Sequence, residues 1–428
     1  MVKAHESAEG GADRAGEIPA PTVKVRTGED QEKTRLSQRD GGPDCAQGLF
    51  FYHLWHTGTM QRDTRVYLRR ALQLAEKGRG WVSPNPLVGA VIVRDGQIVG
   101  EGYHAEFGGA HAEIVALRQA GDRARDSTLY VTLEPCCHYG KTPPCTDAII
   151  RAGVRKVVVA GIDPNPLVNG KGLAALRRAG IEVEVVDTMP RAQRLNRGYF
   201  HWIRTGLPFV TLKAAITLDG KIATVTGSSK WITSEPARRL AHRLRAEHDA
   251  ILVGRGTLAK DDPELTVRHV SGPNPIRILL DEDLGAVGAS RAAQVGRADG
   301  KTLVLTAADP KLNAAAQELE RAGIRVERVA LREDGLLDMR EAFGLLGRRG
   351  ITSILVEGGS RVFTSLLCDG LVNELAIFLA PKICGTGLSL AGDLGIEEMD
   401  EAMRFVLQEV RRVGPDLFLR LVPAEAKE

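Results

Sequence analysis

A chain of 428 residues exceeds what one ordinary hydrophobic core supports, so two domains are expected. Hydrophobic content of 43%, charged content of 26% and a net charge of +3 describe a globular protein and argue against a dedicated nucleic-acid binder. No apolar run approaches ~18 residues, so no membrane span is expected, and six cysteines without a secretory leader fit a reducing cytoplasm.

Residues 1–59 differ from the rest. They are rich in Gly, Glu, Asp, Arg and Lys, with no sustained period until Leu49-Phe50-Phe51-Tyr52, and are expected to be a disordered extension. Met60 is an alternative start. An amphipathic helix follows, carrying Val66, Leu68, Ala71, Leu72, Leu74 and Ala75, and Gly78 to Gly80 end it. Pro84-Asn85-Pro86 reads as a loop and Val88–Val93 as a strand; Asp95-Gly96 is a hairpin signal, with a return strand over Ile98–His104. His111 opens a helix with Ile114, Val115 and Leu117. Thr128–Leu133 is a strand delivering Glu134 and Cys136, and Cys145 precedes another helix. Strands at Lys156–Ala160 and Ile181–Val185 flank a helix around Leu173–Arg178. Such alternation predicts an α/β/α layered domain.

The chemistry in this half lies between His111 and Cys145. His111-Ala112-Glu113 is followed by Glu134-Pro135-Cys136-Cys137-His138 and then Pro143-Pro144-Cys145. One imidazole and two thiolates give zinc three ligands and leave the fourth tetrahedral position for water, whose pKa the metal lowers to ~7. A His-x-Glu followed by Pro-Cys and a later Cys is the zinc-deaminase signature, in which the Glu carries protons and does not bind metal. The common second cysteine position holds Tyr139, so the next candidate is Cys145. Cys137 is the alternative to Cys136, but adjacent side chains point differently and Pro135-Cys136 matches the motif. A disulfide or buried thiols would explain the cysteines alone, but not the upstream His-x-Glu.

Arg191–Arg204 reads as a helix-like connector, and a second alternating region begins at Phe209–Lys213. It carries a helix at Ala237–Ala246, strands at Ala250–Val253, Arg277–Leu280, Thr302–Thr306 and Ser353–Val356, a helix at Val362–Cys368, and strands near Glu374–Ala380 and Phe405–Leu421. No Gly-x-Gly-x-x-Gly follows its first strand, and Gly254-Arg255-Gly256 is half that pattern. Glu357-Gly358-Gly359-Ser360 sits between an apolar strand and a helix, where backbone N–H groups can meet a phosphate. Without further support a Gly-Gly pair there is merely a tight turn.

Across about residues 60–425 these motifs resemble the bifunctional deaminase–reductase family of riboflavin biosynthesis. Ser83 through Gly89, Gly102-Tyr103-His104, His111-Ala112-Glu113 and Glu134 through Cys145 resemble its deaminase half. Leu212 through Gly220, Trp231-Ile232-Thr233, Thr257 through Pro263, Leu265 through Arg268 and Val356 through Gly359 resemble its reductase half. The resemblance implies an α/β protein: a cytidine-deaminase-like α/β/α domain over 60–205, then a dihydrofolate-reductase-like α/β domain over 206–428. It also implies Zn2+ and NADPH as cofactors. The reactions implied are hydrolytic deamination of 2,5-diamino-6-ribosylamino-4(3H)-pyrimidinone 5′-phosphate, then NADPH reduction of its ribosyl group to ribityl.

By the same resemblance His111, Cys136 and Cys145 hold zinc, and Glu113 is catalytic. Asn85, His104, His138 and Lys141 bind substrate in the first half, with Asp163 and Asn165 as weaker candidates that are otherwise turn formers. Lys213, Asp219, Ser229, Arg245, Leu265, Arg268 and Glu357 bind it in the second, the two arginines matched to its 5′-phosphate. Ala215, Trp231, Thr257, Asp261, Gly359, Ser360, Arg361, Val362, Phe363, Thr364 and Ser365 line the NADPH site. A small-molecule substrate, no nucleic acid, no membrane and a homo-oligomer are expected. A nucleic-acid-editing deaminase would need aromatic stacking residues, yet aromatics are 5% of the chain. A structural zinc module would need four protein ligands.

Overall fold

The computed structural model describes residues 62–140, 143–186, 189–288 and 290–424. The N-terminal extension, Met60 and Lys141 lie outside the described residues. The first domain runs α1 (Arg62–Ala75), β1 (Gly89–Arg94), β2 (Gln97–Tyr103), α2 (Ala112–Ala120), β3 (Thr128–Val131), α3 (Cys145–Arg151), β4 (Lys156–Val159), α4 (Lys171–Arg178), β5 (Glu182–Val185), α5 (Pro190–Leu195) and α6 (Arg197–Thr205). Its sheet order is β2-β1-β3-β4-β5, antiparallel on the β2 side and parallel from β3 onward.

The strands are apolar on both faces because helices cover both, and their period of two divides the residues between two cores. Ala90, Ile92, Leu129, Val131, Val157 and Val159 meet α2, α3 and α4 through Ala116, Ile149 and Leu176. Val91, Val93, Tyr130 and Val158 turn the other way onto α1 and α5, against Leu68, Leu72 and Leu195. The result is the three-layer sandwich expected from the alternation.

The connector is not one helix. It breaks at Asn196, whose buried amide is committed elsewhere: Oδ1 accepts from the Leu87 N–H (2.7 Å) and Nδ2 donates to the Leu87 carbonyl (2.9 Å). α5 and α6 are separate because that residue (φ −108°, ψ 18°) leaves the helical conformation to make this pair.

The second domain contains β6 (Phe209–Ile216), β7 (Lys221–Thr224), α7 (Glu235–Glu247), β8 (Ala250–Gly254), α8 (Arg255–Asp261), β9 (Ile276–Leu280), α9 (Arg291–Asp299), β10 (Thr302–Ala307), α10 (Asn313–Arg321) and β11 (Arg325–Val329). It continues with α11 (Met339–Arg348), β12 (Ser353–Val356), α12 (Ser360–Cys368), β13 (Glu374–Leu379), β14 (Gly387–Ser389), β15 (Phe405–Val413) and β16 (Asp416–Pro423). The large sheet has the order β11-β10-β9-β8-β12-β6-β13-β16-β15; it is parallel through β13 and antiparallel across β16 and β15. The Phe405–Leu421 run is therefore a hairpin, turned at Gly414 with φ +64°. β7 and β14 pair separately.

Alternation again sorts the side chains. Leu252, Ile278, Leu305 and Ile354 face α11 and α12, packing on Phe343 and Phe363. Ile251, Val253, Leu279 and Val304 face α9 and α10. Leu355, Ala376 and Phe378 face α7. Among the described residues no helix is long and apolar enough to cross a membrane.

Candidate active sites

In the first domain the end of β3 delivers Glu134, Pro135 and Cys136. His111 is the N-cap of α2, and Cys145 is the first residue of α3. Their three donor atoms lie within 4.8 Å of one another, the one such His/Cys/Asp/Glu group found among the described residues. His111 Nδ1 is 3.2 Å from Cys145 Sγ and 3.5 Å from Cys136 Sγ. With Zn–S ~2.3 Å and Zn–N ~2.0 Å, tetrahedral geometry demands an N···S edge of ~3.5 Å. The donor set therefore fits zinc without rearrangement.

Electrostatics favour thiolate at this place. The Cys145 thiol, against burial, and then His111 hold the Cys136 thiol below its ordinary range. The Cys145 backbone N–H also donates to Cys136 Sγ at 3.4 Å. Partnership with Cys136, followed by burial, pushes the Cys145 thiol up. Two adjacent thiols thus ionise unequally until a cation compensates both. Cys137 points away, its thiol donating to the Leu167 carbonyl at 3.7 Å; the adjacent-residue alternative does not join the cluster.

Glu113 is 3% exposed in the first turn of α2, and burial, then the Cys136 sulfur, pushes its carboxyl up to about 7. A carboxyl near neutrality both accepts and returns protons efficiently. Beside it, burial pushes His104 down. Its Nδ1 lies 3.1 Å from the Ala110 carbonyl, an acceptor, so the neutral ring carries its proton there. His104 Nε2 then accepts from Asn85 Nδ2 at 3.1 Å, which turns the Asn85 Oδ1 into the acceptor left for a ligand. His138 Nδ1 is buried without a hydrogen-bond partner, an orphan that suits a polar ligand.

Asp163 and Asn165 are turn formers: Asp163 Oδ1 accepts the Asn165 N–H (2.9 Å) and Asn165 Oδ1 accepts the Leu167 N–H (3.0 Å). Asp163 also accepts from the Tyr199 hydroxyl of α6 (3.1 Å). Glu134 serves as a brace that the motif alone did not reveal. Its carboxylate accepts the N–H groups of Gly170, Gly172 and Leu173, fixing the cysteine loop to the start of α4. A Cβ on Gly172 would meet the Pro135 carbonyl at 2.2 Å, so this approach requires glycine.

In the second domain a cavity of about 1150 Å³ opens at the carboxyl ends of β6, β8, β9 and β12. It is lined by Lys213, Ala215, Ser229, Trp231, Arg245, Thr257, Asp261, Leu265, Arg268 and Glu357, and by Gly359, Ser360, Arg361, Val362, Phe363 and Ser365. Two expected members are elsewhere. Asp219 accepts from the Thr217 hydroxyl (2.6 Å) and from the N–H groups of Cys384 and Gly385 (3.0 and 2.7 Å), which hold its carboxyl down at about 2. Thr364 donates to the Ser360 carbonyl and accepts from the Gly392 N–H, as a helix side chain facing away does.

At the cavity floor, Arg245 forks onto Glu357 with two bonds of 2.7 and 2.8 Å, and Lys213 Nζ stands 3.7 Å from the same carboxylate. Burial alone would raise the Glu357 pKa, but Arg245 and Lys213 outweigh it and hold it at about 2. Arg245 is therefore largely committed to Glu357, whereas Arg268 spends one nitrogen on Glu264 and Thr266 and is half exposed.

Sequence reasoning missed His242 and Arg238. His242 lines the cavity edge-on to His269 (4.6 Å), and burial, then Arg245, lowers its pKa to about 4. The Arg238 guanidinium covers the Trp231 ring at 4.3 Å and donates to the Thr233 carbonyl. The chain rim also carries Lys230, Arg255, Lys260 and Arg291. Together with the bare backbone at Gly358 (φ +113°) before α12, this cationic rim fits a phosphate-bearing dinucleotide.

Comparison with known proteins assigns a family region to each half of the chain. Residues 61–161 match the cytidine and deoxycytidylate deaminase zinc-binding region, and residues 208–419 match the RibD C-terminal domain. The riboflavin biosynthesis protein RibD of Aquifex aeolicus is 47% identical over 82% of this chain and 96% of its own length. That of Escherichia coli is 43% identical, over 84% and 99%. Among solved structures, Acinetobacter baumannii RibD superposes with a TM-score of 0.75 at 36% identity, covering 85% of this chain and 99% of the other. A diaminohydroxyphosphoribosylaminopyrimidine deaminase/5-amino-6-(5-phosphoribosylamino)uracil reductase from Thermotoga maritima gives 0.73 at 36%, with the same coverage. A zinc-type deaminase half followed by a reductase half, matched over almost the full length of these relatives, means that the chain belongs to the RibD family of bifunctional riboflavin biosynthesis enzymes.

Proposed function

We propose that the first domain hydrolytically deaminates 2,5-diamino-6-ribosylamino-4(3H)-pyrimidinone 5′-phosphate and that the second reduces the deaminated product's ribosyl group with NADPH. The observation that carries the reading is the His111–Cys136–Cys145 cluster with the buried Glu113 beside it, in one chain with the cationic cavity. Zinc, when bound, supplies a Lewis acid that makes a water nucleophilic near neutral pH. Glu113 is placed to carry both protons of the attacking water, one to the ring nitrogen and the second to the amine that departs as ammonia. Asn85 Oδ1 accepts from the pyrimidine edge, His104 holds the Asn85 amide in that orientation, and His138 and Lys141 donate to ring and ribose phosphate. Removal of the amine leaves a carbonyl on the ring.

In the second domain NADPH supplies the hydride. Gly359 through Phe363 and Ser365, with Ala215, Trp231, Thr257 and Asp261, hold the dinucleotide. Lys213 and Glu357 orient the sugar carbon that becomes reduced, and the buried Arg245 keeps Glu357 ionised. Arg268, with unspent donors facing the cavity, takes the substrate phosphate. Ser229 and Leu265 complete the wall. The five described cysteines are free thiols, which supports work in the cytoplasm. A homo-oligomer belongs to the same reading, supported by exposed Val406, Leu407 and Val410 on the edge strand β15. The test is simultaneous measurement of ammonia release and NADPH oxidation with the pyrimidine substrate. One equivalent of each per turnover is expected; ammonia without NADPH oxidation, or the reverse, overturns the two-step assignment.

A further inference from the structure

The loop that carries Asn85 is held from outside its own domain. Asn85 N–H closes a turn on the Val82 carbonyl (2.9 Å), and Asn196 of the connector pins Leu87 at the far end. The near end reaches the second domain: Ser83 Oγ lies 3.3 Å from Thr352 Oγ1. Thr352 Oγ1 donates its single proton to Asp249 Oδ2 (2.7 Å), so it must accept from Ser83. The same Asp249 oxygen also accepts the N–H groups of Thr352 (2.7 Å) and Ser353 (3.1 Å), and the Asp249 N–H donates to Ser353 Oγ (3.0 Å). Thr352 is buried, and Asp249 and Thr352 lie immediately ahead of β8 and β12.

Neighbouring contacts leave the loop little freedom. A Cβ on Gly80 would meet the Ala246 carbonyl at 2.4 Å and Pro273 Cγ at 2.9 Å, and Pro84 packs against Gly350. Arg79 faces Glu247 at 3.9 Å. The loop is thus clamped between the connector and the foot of the reductase sheet.

We propose that Thr352 and Asp249, residues of the reductase half that lie away from its cavity, are positioning residues for the deaminase. Through Ser83 they fix the loop so that Asn85 presents its oxygen to the pyrimidine while its Nδ2 is held by His104. The proposal rests on the reading of Asn85 as a substrate contact. It places the binding step of one reaction under a hydrogen bond supplied by the domain that performs the other.

Thr352→Val keeps volume and β-branching but removes the acceptor for Ser83. It is expected to raise KM for deamination by roughly 5- to 10-fold, the worth of one such bond, with kcat within about twofold. Zinc content and NADPH-dependent reduction of pre-deaminated substrate should be unchanged, and Thr352→Ser should restore KM. Ser83→Ala, made on the other side of the contact, should reproduce the shift, and the double variant should be no worse than either single one. Asn85→Ala separates the two readings. If it leaves KM unchanged, the assignment of Asn85 fails; if it raises KM while Thr352→Val and Ser83→Ala do not, the brace fails. A joint loss of kcat, zinc and reduction in Ser83→Ala would also overturn the proposal, because that is the signature of general destabilisation.

Discussion

The zinc site and the reductase cavity are built in opposite ways. The first uses three ligands and one carboxyl within 35 residues of chain, each at a helix start or strand end, and the donors already stand at metal-binding distances. The second gathers side chains from β6, α7, α8, the loop through Arg268 and α12, and its charges neutralise one another around Glu357. A metal site fails when a ligand goes. A distributed cavity should lose function in steps, and substitutions in the two regions should show that contrast.

The largest effect is expected for Cys145→Ala. Metal analysis should find zinc lost and deamination gone, while Cys137→Ser, whose thiol points to Leu167, keeps about one zinc per chain. Zinc retained in Cys145→Ala would undo the ligand assignment. Glu113→Gln should come next, lowering kcat for deamination by ~10²-fold or more with zinc still bound, because only the proton carrier is removed. Reduction of pre-deaminated substrate should persist in both variants.

Glu357→Gln should lower reduction by roughly 10- to 100-fold, the cost of one charge-assisted contact, and leave ammonia release near normal. It also strips the counter-charge from the buried Arg245 and from Lys213. The carboxyl is held at about 2 against an ordinary 4.5, so it contributes stability that is present above pH ~4.5 and lost as pH falls towards 2. Thermal melts between pH 5 and pH 3 should therefore fall more steeply for the parent protein than for Glu357→Gln. Parallel pH profiles would show that the ion pair is not what holds Glu357 ionised. Smaller again is Arg238→Ala, which uncovers the Trp231 ring and should raise KM for NADPH by ~2- to 5-fold, a cation–π contact's worth. An unchanged KM would mean that the guanidinium merely caps an exposed indole.

The same contrast explains what was legible. His111, Glu113, Cys136 and Cys145 were readable because a metal imposes residue type and spacing together. The central strands were readable because each face of a doubly covered sheet keeps its own apolar register; β7, β11 and β14 were not named. Helices α9 and α10 were not, since alanines and charged residues blur their period. Asp219 and Thr364 came from resemblance, and their hydrogen bonds instead secure the loops at Cys384 and Gly392. Glu134 and Asn196 were invisible as braces because their partners are 36 and 109 residues distant. Sequence motifs name the atoms that do chemistry far better than those that hold them still.

The smallest expected effect concerns transfer between the two sites, and it turns on where the domains touch. The contacts described above between them involve the amino-terminal side of the reductase sheet, with Thr352 before β12 and Ala246 and Glu247 before β8, and Trp202 of α6 likewise donates to the Gly347 carbonyl. The reductase cavity opens at the opposite ends, at Gly254, Leu280 and Glu357. Strands of four to eight residues lie between, a thickness of ~13–26 Å at ~3.3 Å per residue, filled by buried Leu252, Ile354 and Val356. The deaminated intermediate should therefore leave into solvent before it is reduced. An equimolar mixture of Glu113→Gln and Glu357→Gln, each supplying one working site, should then convert diamino substrate to ribityl product with the same lag as parent protein at matched site concentrations. A parent protein that shows no lag where the mixture does would require a protected route between the sites, one that this packed sheet does not offer.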